Sequence, residues 1–216
     1  MQGNLQADLK GHTDDVVSAV FSPDESKILT ASSDNTAKLW TLDGKLLVNL
    51  DKHARTVNTA VFSPDGSKIL TASEDNTAKL WNIDGNLLAD MDKHTGTVYT
   101  AVFSPDGTKI ITASSDSTAK LWDLEGKLLM DFKGHIQTVY AAVFSPDGKR
   151  ILTASMDNTA KLWDLDGNLL ADLNEHIGTI NKAIFSSDGK RILTASADGT
   201  AKLWYTPEAI IDWLKK

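Results

Sequence analysis

The chain has 216 residues, of which 41% are apolar and 24% charged, with a formal net charge of −7 and no cysteine. Disulfides and thiolate metal sites are thereby excluded, and the acidic balance argues against non-specific nucleic-acid binding, which needs clustered Lys and Arg. No apolar run approaches the ~20 residues of a membrane-spanning helix, the stretch Met1–His12 lacks a signal-peptide core, and the missing cysteines lean toward the cytoplasm.

In chain order, the first element is the stretch Asn4–Leu9, which repeats later as Asn86–Met91 and Asn168–Leu173. From there the chain repeats itself every 41 residues, without insertion or deletion. The histidines His12, His53, His94, His135 and His176 step by 41, as do Trp40, Trp81, Trp122, Trp163 and Trp204. The five units run 3–43, 44–84, 85–125, 126–166 and 167–207, and they share one fold, because a repeat of this length needs its neighbours to bury its apolar face.

The second unit shows the pattern within each repeat. Lys45–Leu50 is the first apolar stretch. Val57–Phe62 is the second, closed by the turn signal Ser63-Pro64-Asp65-Gly66. Lys68–Ser73 is the third, followed by Asp75-Asn76, and Thr77–Trp81 is the fourth, followed by Asp84-Gly85. Turn residues interrupt every apolar run before ~10 residues accumulate, which excludes helices and predicts four short antiparallel strands per unit. Four strands per ~41 residues is the pattern of a propeller blade.

After the last unit, Thr206–Leu214 departs from the repeat. Thr206 suits an N-cap, Pro207 the first helical position and Glu208 the first turn, while Ile210, Trp213 and Leu214 fall on one helical face. A short helix is expected over 206–216, covering the bottom or rim of the domain formed by residues 1–205.

The run His…Phe-Ser-Pro-Asp-Gly…Thr-Ala-Ser-x-Asp-Asn-Thr-Ala-Lys-Leu-Trp resembles the WD-repeat (WD40) β-propeller family over nearly the whole chain. The literal Trp-Asp pair stands only at Trp122-Asp123 and Trp163-Asp164. Gly precedes His at Gly11 and Gly134 but is Lys52, Lys93 and Glu175 elsewhere; Glu25 replaces a turn glycine and Ser187 a turn proline. The tail is similar to those that end WD-repeat regions of large bacterial signalling proteins. Met1-Gln2 stands where other units carry a pair such as Leu42-Asp43, so the chain reads as a piece of something longer, amplified recently or engineered.

The resemblance implies an all-β fold: a five-bladed propeller of four-stranded antiparallel blades. It also implies that each blade carries one hydrogen-bonded chain of His, a strand hydroxyl, Asp and Trp. The matching sets are His12, Asp34 and Trp40; His53, Asp75 and Trp81; His94, Asp116 and Trp122; His135, Asp157 and Trp163; and His176, Asp198 and Trp204. The hydroxyl in the first unit is Thr30 or Ser32. A buried indole and imidazole need partners, so this recurrence reads as scaffold; metal binding would need several His converging.

In the family the first strand of each unit is the outermost strand of the preceding blade. Asn4–Leu9 has no preceding blade, and the last unit supplies three strands. The expectation is that the N-terminal strand completes the last blade and closes a monomeric ring, with strand exchange between chains as the rival. Ala19, Ala60, Ala101, Ala142 and Ala183 keep the inner strand slim, and Lys182 is expected to reach solvent in the central channel.

Partners of the family dock near the start of the innermost strand. The positions that point there and differ between units are Asp15 in the third place after His, Val17, Asn58, Tyr99, Tyr140 and Asn181 in the fifth, and Glu74 and Met156 before the turn Asp. Two of the three tyrosines fall together there beside Met156, a composition suited to interfaces. No Ser/His/Asp set lies outside the repeat and no Gly-rich phosphate loop occurs. The expected function is a non-catalytic scaffold that presents one face to a protein or peptide, without metal, cofactor, nucleic acid or membrane. The alternative is a structural or engineered array whose blades close or oligomerise without a ligand.

Overall fold

The structure, a computed structural model, describes residues 3–207 and residue 209. It is all-β apart from Pro207 and Ala209, which are helical, and has five antiparallel sheets. The first sheet joins β1 (Val16–Phe21), β2 (Lys27–Ser32), β3 (Ala37–Thr41) and β4 (Leu46–Leu50) in sequence order. The second joins β5 (Val57–Phe62), β6 (Lys68–Ser73), β7 (Ala78–Asn82) and β8 (Leu87–Met91), and the third β9 (Val98–Phe103), β10 (Ile110–Ser114), β11 (Ala119–Trp122) and β12 (Leu128–Phe132). The fourth joins β13 (Val139–Phe144), β14 (Arg150–Ser155), β15 (Ala160–Asp164) and β16 (Leu169–Leu173). The fifth has three strands, β17 (Ile180–Phe185), β18 (Arg191–Ser196) and β19 (Ala201–Tyr205). The strands expected for the second unit are all present within one residue of their bounds, and each outermost strand comes from the following repeat, as the resemblance implied.

The turns are fixed by their side chains. Ser63 Oγ donates to Asp65 Oδ1 at 2.6 Å, the Ser67 N–H donates to the same oxygen at 3.0 Å, and the Lys68 N–H donates to Ser63 Oγ at 2.9 Å. Gly66 turns the corner at φ +71°, a left-handed conformation with no steric cost for glycine. Glu25 holds the same corner at φ +57° in the first blade, where a side chain is strained.

The core lies between blades. Leu29, Ala31, Ala37, Leu39 and Leu50 of the first blade pack on Val57, Ala60, Ile69 and Trp81 of the second, and three equivalent clusters follow along the chain. Ala60, Ala101, Ala142 and Ala183 are buried in these seams, so the small residue on each innermost strand admits close approach of the neighbouring blade. Lys182 is exposed.

At the two ends of this stack the same positions are open. Val16 is 51% exposed, whereas Val57, Val98, Val139 and Ile180 are 0%; Leu203 is 61% exposed, whereas Leu39, Leu80, Leu121 and Leu162 are at most 3%. The expected closure is not made in this structure: the fifth sheet has three strands, and residues 3–15 form no ladder. Instead the N-terminal segment lies against the first blade. A Cβ built on Gly44 would stand 3.5 Å from Ala7 Cβ and 3.2 Å from the Asp8 carbonyl, just as one on Gly126 would stand 3.1 Å from Ala89 Cβ and 3.4 Å from the Asp90 carbonyl. The segment therefore occupies the place of an outermost strand whose sheet is missing. The expected helix over 206–216 lies mainly outside the described residues; Thr206, which is described, is buried and donates its N–H to the Lys190 carbonyl.

Candidate functional site

Each blade contains one buried polar chain. His Nδ1 donates to the Asp Oδ2 at 2.7–2.8 Å in all five blades. The Asp is an ionised acceptor, so the imidazole hydrogen sits on Nδ1 and Nε2 accepts from a threonine hydroxyl at 2.7–2.8 Å. That hydroxyl is Thr30, Thr71, Thr112, Thr153 and Thr194 in turn, and it accepts the tryptophan indole N–H at 2.8–3.0 Å. The structure thus resolves the choice between Thr30 and Ser32. Ser32 instead secures the turn, where its Oγ accepts the Asp34 N–H at 3.1 Å and donates to the Asp14 carbonyl at 3.3 Å.

Burial disfavours ionisation of Asp75, but hydrogen bonds from His53, Thr77 and the Ala54 N–H outweigh it, and its carboxyl stays below the usual carboxylate range. Asp34, Asp116 and Asp157 follow the same pattern, desolvation against donated hydrogen bonds, with the donors winning. Burial pushes His135 below the usual imidazole value despite its contact with Asp157. Among the described residues no three His, Asp or Glu side chains converge in a way that would hold a metal ion. These groups are mutually satisfied within each blade.

A second polar row was not anticipated from the sequence. Lys79 pairs with Asp90 at 2.5 Å, Lys120 with Asp131 at 2.8 Å and Lys161 with Asp172 at 2.8 Å, each across the third and fourth strands of a blade. Lys38 bonds Asn49 in the first blade. The signal was available: a Lys between Ala and Leu on every third strand, and a recurring Asp opposite it.

The variable positions are placed by a backbone irregularity. In each innermost strand the ladder skips one residue, between Val16 and Ser18, Val57 and Thr59, Val98 and Thr100, Val139 and Ala141, and Ile180 and Lys182. The skipped residues are Val17, Asn58, Tyr99, Tyr140 and Asn181. A bulge frees its residue from the ladder and re-aims the side chain, so these five positions vary without disturbing strand pairing. Beside each bulge, the residue before the turn Asp is tied to the third residue after His: Ser33 N–H to the Asp15 carbonyl, Glu74 to Thr56, Ser115 to Thr97, Met156 to Thr138 and Ala197 to Thr179, at 2.8–3.0 Å.

Three blades bring their variable residues together. Tyr99 and Tyr140 meet edge to face with ring centroids 5.2 Å apart, and the Tyr140 hydroxyl lies 3.9 Å from Met156 Sδ. Burial, then the neighbouring Tyr140 and Glu74, raises the Tyr99 phenol above its usual pKa. Asn58 Nδ2 donates to the Val98 carbonyl at 3.0 Å, which bridges the second and third blades. Both tyrosines are half-buried, while Glu74 and Met156 are exposed. Asp15, Val17 and Asn181 are exposed on the flanking blades.

The opposite end of the inner strands is apolar. Phe21, Phe62, Phe103 and Phe144, with Pro23, Pro64 and Pro105, line a cavity of about 460 Å³. Among the described residues its lining carries no charged side chain.

Comparison with curated proteins gives no match. The family model described as "WD domain, G-beta repeat" matches residues 3–41, 44–82, 85–123, 126–164 and 167–205. Those five matches cover most of the chain, which therefore belongs to the WD40-repeat family.

Proposed function

We propose that this protein is a non-catalytic interaction scaffold, which presents the bulge face of its second to fourth blades to a protein or peptide. WD40 repeats generally mediate protein–protein interaction, and that supports the class. The observation that carries the reading is the Tyr99–Tyr140–Met156 cluster: three large, adaptable side chains on bulges and turns, where neither ladder nor core requires them. Aromatic and Met side chains supply contact area, and Glu74 with Asn58 at the edge gives a polar rim. An acidic edge favours a partner segment with Lys or Arg beside an apolar anchor. Every His and its paired turn Asp is engaged in holding a blade, which supports the non-catalytic part of the reading.

The test is selection of peptides on the immobilised protein from a random display library. Peptides selected by the natural sequence should lose binding about tenfold or more to a Tyr99→Ser, Tyr140→Ser double variant that keeps the strand spectrum of the natural chain. Equal binding to both proteins sinks the assignment of the face.

A further inference from the structure

The N-terminal segment and the unfinished fifth sheet are complementary in register, charge and apolar surface, yet they lie at opposite ends of the stack. We infer that a second copy of the chain joins them: the segment Asn4–Leu9 of one copy is the fourth strand on β19 of another. The repeat fixes the register. In the complete blades Ala78 pairs with Met91, Lys79 with Asp90, Leu80 with Ala89 and Trp81 with Leu87. The same spacing sets Ala201 opposite Leu9, Lys202 opposite Asp8, Leu203 opposite Ala7 and Trp204 opposite Leu5.

Charge points the same way. Every complete blade pairs its third-strand lysine with a side chain from the fourth strand, whereas Lys202, among the described residues, has no acidic partner. Asp8, at the place of Asp90 and Asp172, meets only the exposed Lys10 next to it in the chain. Burial agrees as well. Leu193 and Leu203 are 43% and 61% exposed, at positions where the other blades are at most 3% exposed. The segment already lies on its own first blade as β8 lies on the third. A fifth sheet pairing with it would slide its Leu193 and Leu203 over Val16, and a seam like the other four would form. Within the chain the faces at Val16 and at Leu203 are both left uncovered, and a second copy covers both. The contact is head-to-tail, and two such contacts between two copies leave no open end.

Light scattering on the full chain tests this. The expected mass is about twice the 23.4 kDa of one chain, or a higher multiple. Asp8→Lys and Lys202→Asp should each weaken assembly about tenfold or more, since like charges then face each other across the joint. Mixing the two variants in equal amounts should restore it, because both joints of the mixed pair regain opposite charges. A milder Asp8→Asn variant should weaken assembly less while keeping the strand spectrum of the natural chain. A 23.4 kDa particle at every concentration overturns the inference and assigns the segment to its own fifth blade. Assembly that the charge reversals leave untouched, or that mixing fails to restore, overturns the Asp8–Lys202 register.

Discussion

The indole N–H of Trp122 donates to the Thr112 hydroxyl across 2.9 Å, tying the third strand of its blade to the second under a fully buried ring. The same hydroxyl serves His94, so one oxygen satisfies two buried groups. Thr112→Val keeps the shape and removes both bonds. A loss of about 2–3 kcal/mol is expected, because two polar groups are left unsatisfied in the core. Thr112→Ser should recover most of it. Urea unfolding with both variants measures the difference.

Acid should destabilise the protein in two stages. His135 is held below its usual pKa by burial, so the folded state prefers it neutral, and its stabilisation is present above about pH 6.5 and lost as pH falls toward the folded value. The turn aspartates Asp34, Asp75, Asp116 and Asp157 are held below the usual range, so their contribution is present above about pH 4 and lost as pH falls further. In both windows the unfolded chain binds more protons. Melting temperature should be flat from about pH 8 to 7, decline gently toward pH 5 and fall steeply below about pH 4. A rise in stability on acidification would contradict the hydrogen-bond assignment.

Glu25 is the weak corner of the first blade. Its φ of +57° is the left-handed conformation that Gly66, Gly107, Gly148 and Gly189 adopt in the others. Glu25→Gly should stabilise by about 1 kcal/mol, and the reverse exchange Gly66→Glu should cost a similar amount. Ser117 at φ +67° stands where Asn35, Asn76 and Asn158 stand, and Ser117→Asn should give a smaller gain of the same sign. Thermal melts of the three variants decide it.

The tyrosine pair separates packing from recognition. An edge-to-face pair contributes about 0.5–1.5 kcal/mol beyond its buried area. The coupling between Tyr99→Ser and Tyr140→Ser in a double-mutant cycle should therefore be about 0.5–1.5 kcal/mol. A coupling several times larger would show that the pair holds the channel mouth closed.

The four-stranded unit, its turns and its His–Asp–Trp set were legible because the determinants are local: turn residues, alternation and a fixed spacing within one repeat. The hydroxyl was not, since Thr30 and Ser32 are two residues apart and both are used, one under Trp40 and one at the Asp34 turn. The bulges at Asn58, Tyr99 and Tyr140 left no composition signal, because a skipped rung is a property of pairing. Closure was least legible of all. The repeat register says which strand fits β19, and it does not say which copy of the chain supplies it.

The polar chain of each blade begins and ends inside one 41-residue unit, from His53 through Thr71 and Asp75 to Trp81, although the sheet itself borrows a strand from the next. Unequal crossing-over between units can therefore lengthen or shorten the coding sequence by whole units. Every added unit arrives with its internal bonding already satisfied, and the site of insertion is invisible to its neighbours. The bulge residues are among the few positions that record which unit is which.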